Sequence, residues 1–132
     1  NSMFDTRALT TTIRFLTQDK SIEFLTEEFK DIEQLCIWCL ACENLYTQAS
    51  FRHSAIKNGW ITEAGNFKTS AEIGYRFITG DVDFTEEHTG LEDVLIEIKI
   101  MAHALRQNKK RIGGVFGNPW MIPNSKELNK IK

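Results

Sequence analysis

His88-Thr89-Gly90-Leu91-Glu92-Asp93 opens a strongly amphipathic segment and has the form H-x4-D. Apolar residues follow at three- and four-residue spacing, which predicts a helix to about Gln107 with one buried face. That predicted face consists of Leu91, Val94, Leu95, Ile98, Met101, Ala102 and Leu105. Five positions turn a helix by about 500°, so His88 is expected in the lead-in loop, above a carboxylate held rigidly one turn inside. The ordinary alternative is a polar lead-in followed by a solvated acid.

Composition places the chain among globular proteins without indicating a partner. Its 132 residues make one domain at most, with 42% hydrophobic and 26% charged residues. A net charge of -2 offers no bulk electrostatic argument for nucleic-acid binding. The odd count of three cysteines favours reduced thiols and a cytosolic setting. Because no apolar run is long enough for a bilayer, we expect no membrane partner.

Local signals predict four further helical segments and a turn. The helices are expected at Asp5–Gln18, Asp31–Tyr46, Phe51–Lys57 and Ala71–Ile78. Asn58-Gly59 and Gly80 are typical helix ends, and Thr69 or Ser70 is placed to cap the fourth helix. The 60–68 segment predicts a small hairpin or a turn, and Ser21–Leu25 a short strand or an extended link. The glycines and prolines in residues 113–132 indicate an irregular tail, and Trp120, Met121 and Ile122 are expected to dock on the body.

Cys36, Cys39 and Cys42 form C-x2-C-x2-C inside the predicted helix Asp31–Tyr46. Zinc sites usually have four ligands, and iron–sulfur runs typically lie in loops with a fourth cysteine. Within a helix the three positions span an arc of about 120°. We therefore favour buried thiols, and a cysteine-based metal protein is the weaker alternative.

A second motif, N-x-x-F-D in Asn1-Ser2-Met3-Phe4-Asp5, precedes H-x4-D in the chain. In this order the two resemble the second and third motifs of the DEDDh 3′–5′ exonucleases, relatives of polymerase proofreading domains. The resemblance extends to a phage-type branch and covers most of the chain. Its other segments are Cys36-Ile37-Trp38, Ala41-Cys42, Thr47-Gln48, Glu63-Ala64-Gly65-Asn66, Thr69-Ser70-Ala71-Glu72, Glu86-Glu87 and Trp120-Met121-Ile122-Pro123. If the native chain starts at Met3, the asparagine match is accidental.

The resemblance implies an α/β, ribonuclease-H-like fold, truncated at its N-terminus and therefore helix-rich with a reduced sheet. The family's first motif, D-x-E on the opening strand, would precede Asn1. Residues 1–112 would be the C-terminal portion of an exonuclease-like domain, and 113–132 a tail on it. With part of the sheet missing, helix Asp31–Tyr46 would expose Ile37, Trp38 and Leu40 or hide them in a homo-oligomer.

The resemblance also implies a metal-dependent 3′–5′ exonuclease acting on single-stranded DNA or RNA ends, in the cytoplasm of a bacterium or phage-infected host. Asp5 and Asp93 would be Mg²⁺ or Mn²⁺ ligands and His88 the general base. Two aspartates alone should bind such ions weakly, so catalysis would need the D-x-E acids. Four neighbouring acids, Glu86, Glu87, Glu92 and Glu97, are expected to be solvated. The alternative is a catalytically inactive, nuclease-like binding or interaction module.

Overall fold

The computed structural model describes residues 2–22, 35–107 and 118–125. In these ranges the chain forms five α-helices and one 3-10 helix. They are α1 (Ser2–Thr17), α2 (Ile37–Asn44), α3 (Ala49–Lys57), α4 (Ala71–Thr79), α5 (Gly90–Arg106) and the 3-10 helix Pro119–Met121. α5 packs against both α2 and α4, and α2 also contacts the 3-10 helix.

The predicted α/β fold with a reduced sheet is wrong, because the described ranges contain no strand. The 60–68 segment forms a tight turn with a single antiparallel bridge between Ile61 and Phe67. Lys68 N–H donates to the Trp60 carbonyl at 3.0 Å, beside that bridge. Beyond Lys68 the chain passes directly into α4, whose N-cap is Ser70. A two-stranded pair without a third strand is marginal in water, so helices carry this fold.

Phe51 of α3 is the centre of the hydrophobic core. Its ring is fully buried, and its centroid lies 4.8 Å from that of Tyr46 and 5.3 Å from that of Phe77. The rings of Trp60 and Phe67 complete the group at 6.5 and 6.2 Å. Tilted and edge-on aromatic contacts of this kind contribute beyond the area that they bury. Phe51 thereby joins α3 to α4 and to the turn at 60–68.

α5 buries a different face from the one predicted. Ile96, Ile100 and Ala104 are each 2% exposed, whereas five residues of the predicted face are 40–73% exposed. We call these five the outer face of α5: Leu91, Val94, Leu95, Ile98 and Leu105. Gly74 explains the choice, since a Cβ there would lie 3.2 Å from Ile100 Cδ1 and 2.6 Å from the Tyr46 hydroxyl. The missing side chain lets α4 approach α5 on the Ile100 side.

α2 is covered within the described part of the chain, so the expected exposure of Leu40 is wrong. Leu40 is 3% exposed, and Ile37 and Trp38 are half-buried. α2 begins at Ile37 and not at Asp31; residues 31–34 lie outside the described ranges. The predicted burial of the three cysteines is confirmed, and none forms a disulfide. Burial also raises the pKa of the Cys42 thiol far above its usual range.

Residues 118–125 lie against the helical body. Pro119 and Pro123 are buried, and Ile122 packs against the core. The Asn124 side chain accepts a hydrogen bond from Phe67 N–H at 2.7 Å and donates to the Trp120 carbonyl at 2.8 Å. The segment therefore closes one side of the turn that carries Phe67. Residues 113–117 and 126–132 of the predicted tail lie outside the described ranges.

Candidate functional site

The start of α5 has the local geometry that H-x4-D predicts. Thr89 is the N-cap, and its hydroxyl accepts a hydrogen bond from Glu92 N–H at 3.4 Å. His88 precedes the cap with a φ of +57°, in the left-handed region. Non-glycine residues adopt this region infrequently, although histidine does so more often than most. The His88 imidazole lies close to Asp93, in the first turn of the helix.

Three potential metal ligands meet at this point: Glu86, His88 and Asp93. One ligand atom from each lies within 4.8 Å of the others. His88 Nδ1 is 3.7 Å from Glu86 Oε2, and the imidazole is 79% exposed while the Glu86 side chain is 12% exposed. Asp93 Oδ1 is buried and has no hydrogen-bond partner. We call these three residues the acidic-histidine cluster.

The cluster brings two carboxyl groups close together in a partly desolvated position. Burial raises the pKa of Glu86, and the neighbouring Asp93 charge raises it further, while the His88 imidazole opposes the shift. Two nearby carboxylates disfavour each other's charged form, and a cation between them removes that cost. A hydrogen bond between the Glu86 and Asp93 carboxyl groups also contributes to the raised pKa of Glu86, so a cation bound here would replace the proton that the two groups share.

α4 holds the loop that carries Glu86. The Glu72 carboxylate accepts a hydrogen bond from Glu86 N–H at 3.1 Å and pairs with Arg76 at 2.9 Å. Arg76 Nε in turn donates to the Phe84 carbonyl at 2.7 Å. The Phe84 ring stacks on Tyr75 with centroids 4.2 Å apart. Residues 84–86 are thus anchored to α4, which sets the position of the Glu86 carboxylate.

The structure brings together two of the three site residues proposed from sequence. His88 and Asp93 belong to the cluster, whereas Asp5 lies exposed on α1 and is not a member of it. Glu86, Glu87, Glu92 and Glu97 were all expected to be solvated, but only Glu87 is exposed and the other three are half-buried. Glu92 follows the Thr-x-x-Glu capping pattern, and its carboxylate accepts from Glu87 N–H. Glu86 is less exposed than its neighbour Glu87 because the 84–86 loop packs on α4.

A cavity of about 400 Å³ is lined in part by Glu97, four residues after Asp93 on α5. Its walls come from α2, α5 and the N-terminus of α4. The lining residues are Ile37, Trp38, Ala41, Tyr46, Thr69, Ser70, Ala71, Glu97 and Ile100. We call it the α2–α5 pocket. Its volume is in the range of about 300–1,000 Å³ that small-molecule sites occupy.

Comparison with known proteins identifies no relative of this chain. No family model matches it, and neither the curated proteins nor the solved structures contain a significant match. Within the described ranges, no helix is both long and apolar enough to cross a bilayer.

Proposed function

We propose that this chain carries part of the active site of a metal-dependent 3′–5′ exonuclease acting on single-stranded DNA or RNA. The observation that carries the proposal is the meeting of Glu86, His88 and Asp93 at the start of α5. Their side chains combine two cation-binding carboxylates with an exposed imidazole suited to proton transfer. The motifs around Asp5 and His88 supply the expectation of phosphodiester hydrolysis.

The donor set suits one Mg²⁺ or Mn²⁺ ion held by Glu86 and Asp93. Both ions accept carboxylate oxygens, and manganese also tolerates imidazole. One carboxylate oxygen of Asp93 and one of Glu86 lie within 4.8 Å of each other, close enough to bind one cation together. When bound, the ion would polarise the phosphate and lower the pKa of an attacking water. Two carboxylates leave most of its coordination positions to water and substrate, which predicts weak binding.

The chain's own residues would then position and deprotonate the nucleophile. His88 is exposed enough to meet a water molecule and would accept its proton at a ring nitrogen. Glu86 lies 3.7 Å away and orients the imidazole, while Glu72 and Arg76 hold the Glu86 loop in place. A complete two-ion site needs further carboxylates, which the D-x-E motif supplies in the family that the chain resembles. Release of nucleotides from a 3′-labelled single strand tests this proposal.

Manganese should stabilise the protein modestly through Glu86 and Asp93. With a dissociation constant of about 1 mM, 10 mM Mn²⁺ would add about 1.4 kcal/mol to the free energy of unfolding. Asp93→Asn should abolish that gain, and lower pH should weaken it, because the raised pKa of Glu86 lets protons compete. Thermal unfolding with and without Mn²⁺ measures the effect.

Asp83→Asn is the matched control for the manganese titration, since Asp83 is exposed and outside the cluster. It should keep the full gain. Equal stabilisation of the wild type and Asp93→Asn by Mn²⁺ would show that the ion binds outside the cluster. Micromolar, stoichiometric binding would contradict the expectation of an incomplete site.

The outer face of α5 favours a second candidate function, that of an inactive interaction module. Five large apolar side chains along four turns of one helix are exposed. Contiguous apolar patches of this kind usually indicate a protein interface. Leu91 and Leu105 lie seven residues to either side of Ile98, and Leu95 and Val94 are mirrored by the half-buried Met101 and Ala102. An antiparallel second copy would therefore meet equivalent apolar positions.

Leu95→Glu should abolish self-association if the outer face is the interface. A carboxylate at the centre of an apolar contact would be buried without a partner, which is strongly unfavourable. Sedimentation velocity at about 10–100 µM should show a dimer for the wild type and a monomer for the variant. Ile56→Glu, at a 65% exposed position on α3, should leave the dimer intact. A monomeric wild type at these concentrations rules out the second copy.

A further inference from the structure

The α2–α5 pocket has an apolar interior and a polar rim. Ile37, Ala41 and Ile100 contribute aliphatic walls, and Trp38 and Tyr46 contribute rings. The donors of both rings have partners: the Trp38 indole N–H donates to Thr69 Oγ1 at 3.2 Å, and the Tyr46 hydroxyl donates to the Ser70 carbonyl at 2.9 Å. These hydrogen bonds hold the two rings in place. The pocket is therefore preorganised for a flat, largely apolar ligand.

Glu97 gives the pocket a specific polar requirement. It lines the cavity together with the apolar residues, and a carboxylate accepts hydrogen bonds without donating any. A ligand group facing the Glu97 carboxylate must therefore offer a hydrogen-bond donor or a positive charge, and the amino group of a nucleobase is one such donor. A carbonyl oxygen in the same position would be repelled.

The pocket and the acidic-histidine cluster are neighbours along α5. Asp93 and Glu97 are four residues apart, so their side chains lie on one helix face about one turn from each other. α4 connects the two sites in the same way. Ser70 and Ala71 line the pocket, and the carboxylate of the next residue, Glu72, accepts a hydrogen bond from Glu86 N–H. A ligand in the pocket would thus extend toward the proposed cation.

A second cavity of about 450 Å³ lies beside the first. It shares Trp38, Thr69 and Ser70 with the α2–α5 pocket and reaches Lys68 and Trp120. Exposed aromatic rings beside a basic side chain are the usual means of holding consecutive bases of a single strand. The second cavity therefore has, in Trp120 and Lys68, an aromatic ring and a basic side chain suited to a neighbouring nucleotide.

We propose that the α2–α5 pocket binds the terminal base of a single strand and selects bases that carry an amino group, with Glu97 accepting from that group. This inference rests on the proposed exonuclease function, because the cluster would hold the adjacent phosphate through its cation. Carboxylate side chains recognise the cytosine amino group in the same way in protein–DNA complexes. Cytosine should be favoured over uracil, which presents a carbonyl oxygen at that position.

Binding of free cytidine and uridine to the metal-free protein tests the pocket without requiring catalysis. The readout is the NMR chemical shift of the Trp38 indole N–H, followed during titration with each nucleoside. Cytidine should bind about tenfold or more tightly than uridine, corresponding to one lost hydrogen-bonded contact. Glu97→Gln should remove the difference, since an amide can donate to the uracil carbonyl. Glu63→Gln, in the exposed turn at 62–66, should preserve it.

The outcomes separate this inference from the function on which it rests. Equal affinities for the two nucleosides, or no shift at Trp38 with either, overturn the base pocket even where the protein degrades strands. A cytidine preference that Glu97→Gln abolishes supports the pocket even where the protein releases no nucleotide. Unchanged thermal unfolding of Glu97→Gln shows that the loss comes from the pocket and not from unfolding. A preference that survives Glu97→Gln overturns the role of this carboxylate.

Discussion

His88→Ala is expected to lower the rate of 3′ nucleotide release about 10²–10⁴-fold, the usual contribution of a positioned general base. The imidazole is the exposed member of the cluster, 3.7 Å from Glu86, and no other described histidine belongs to that cluster. The measurement is degradation of a 3′-labelled single strand with Mg²⁺ or Mn²⁺. It compares this chain with a form extended at its N-terminus by a D-x-E segment.

Activity is expected in the extended form alone, because Glu86 and Asp93 offer too few carboxylates for two ions about 4 Å apart. His53→Ala is the matched control, as His53 is exposed on α3 and outside the cluster. Full activity of His88→Ala would contradict its role as the base. Metal-dependent activity of the 132-residue chain would show that the additional acids are not required. An extended form that folds and binds metal but remains inert would favour the interaction module.

Phe51→Ala should destabilise the protein by about 3–5 kcal/mol, the usual cost of removing a buried phenylalanine. The ring is fully buried and contacts four other aromatic rings, so its loss leaves a cavity between α3, α4 and the turn at 60–68. Loss of this size is a large fraction of the stability of an ordinary domain, about 5–15 kcal/mol. Urea unfolding followed by far-ultraviolet circular dichroism measures it.

Phe15→Ala makes the same chemical change at a helical position that is 72% exposed, on α1. Its effect should stay within about 0.5 kcal/mol, as for most surface substitutions. A similar loss for both variants would indicate that α1 buries Phe15 in solution. A loss below about 1 kcal/mol for Phe51→Ala would contradict the central place of this ring in the core.

Several helix ends were predictable because their signals act within one turn of the backbone. Ser70 caps α4 by accepting from Ile73 N–H, and Gly80 ends that helix with a φ of +78°. Thr89 caps α5 in the same way. Such hydrogen bonds and dihedral angles involve residues a few positions apart, so the residue types alone indicate them.

The candidate site was predictable only in part. H-x4-D placed His88 before α5 and Asp93 inside it, and the structure confirms that placement. Glu86 joined the site because Glu72 and Arg76 of α4 fold its loop inward. That packing connects residues up to 14 positions apart, and no local pattern distinguishes Glu86 from the exposed Glu87.

Residue types were sufficient to predict the bounds of α4 and the end of α5 to within about one residue, the position of His88 before α5 and of Asp93 inside it, and the burial of the three cysteines. Contacts between residues far apart in the chain determine which face of α5 enters the core, and the described ranges form no sheet. α5 has apolar residues on two sides, and the helical period cannot choose between them. The side with Ile96, Ile100 and Ala104 is the buried one. There Gly74 has no side chain, so α4 can pack close to Ile100.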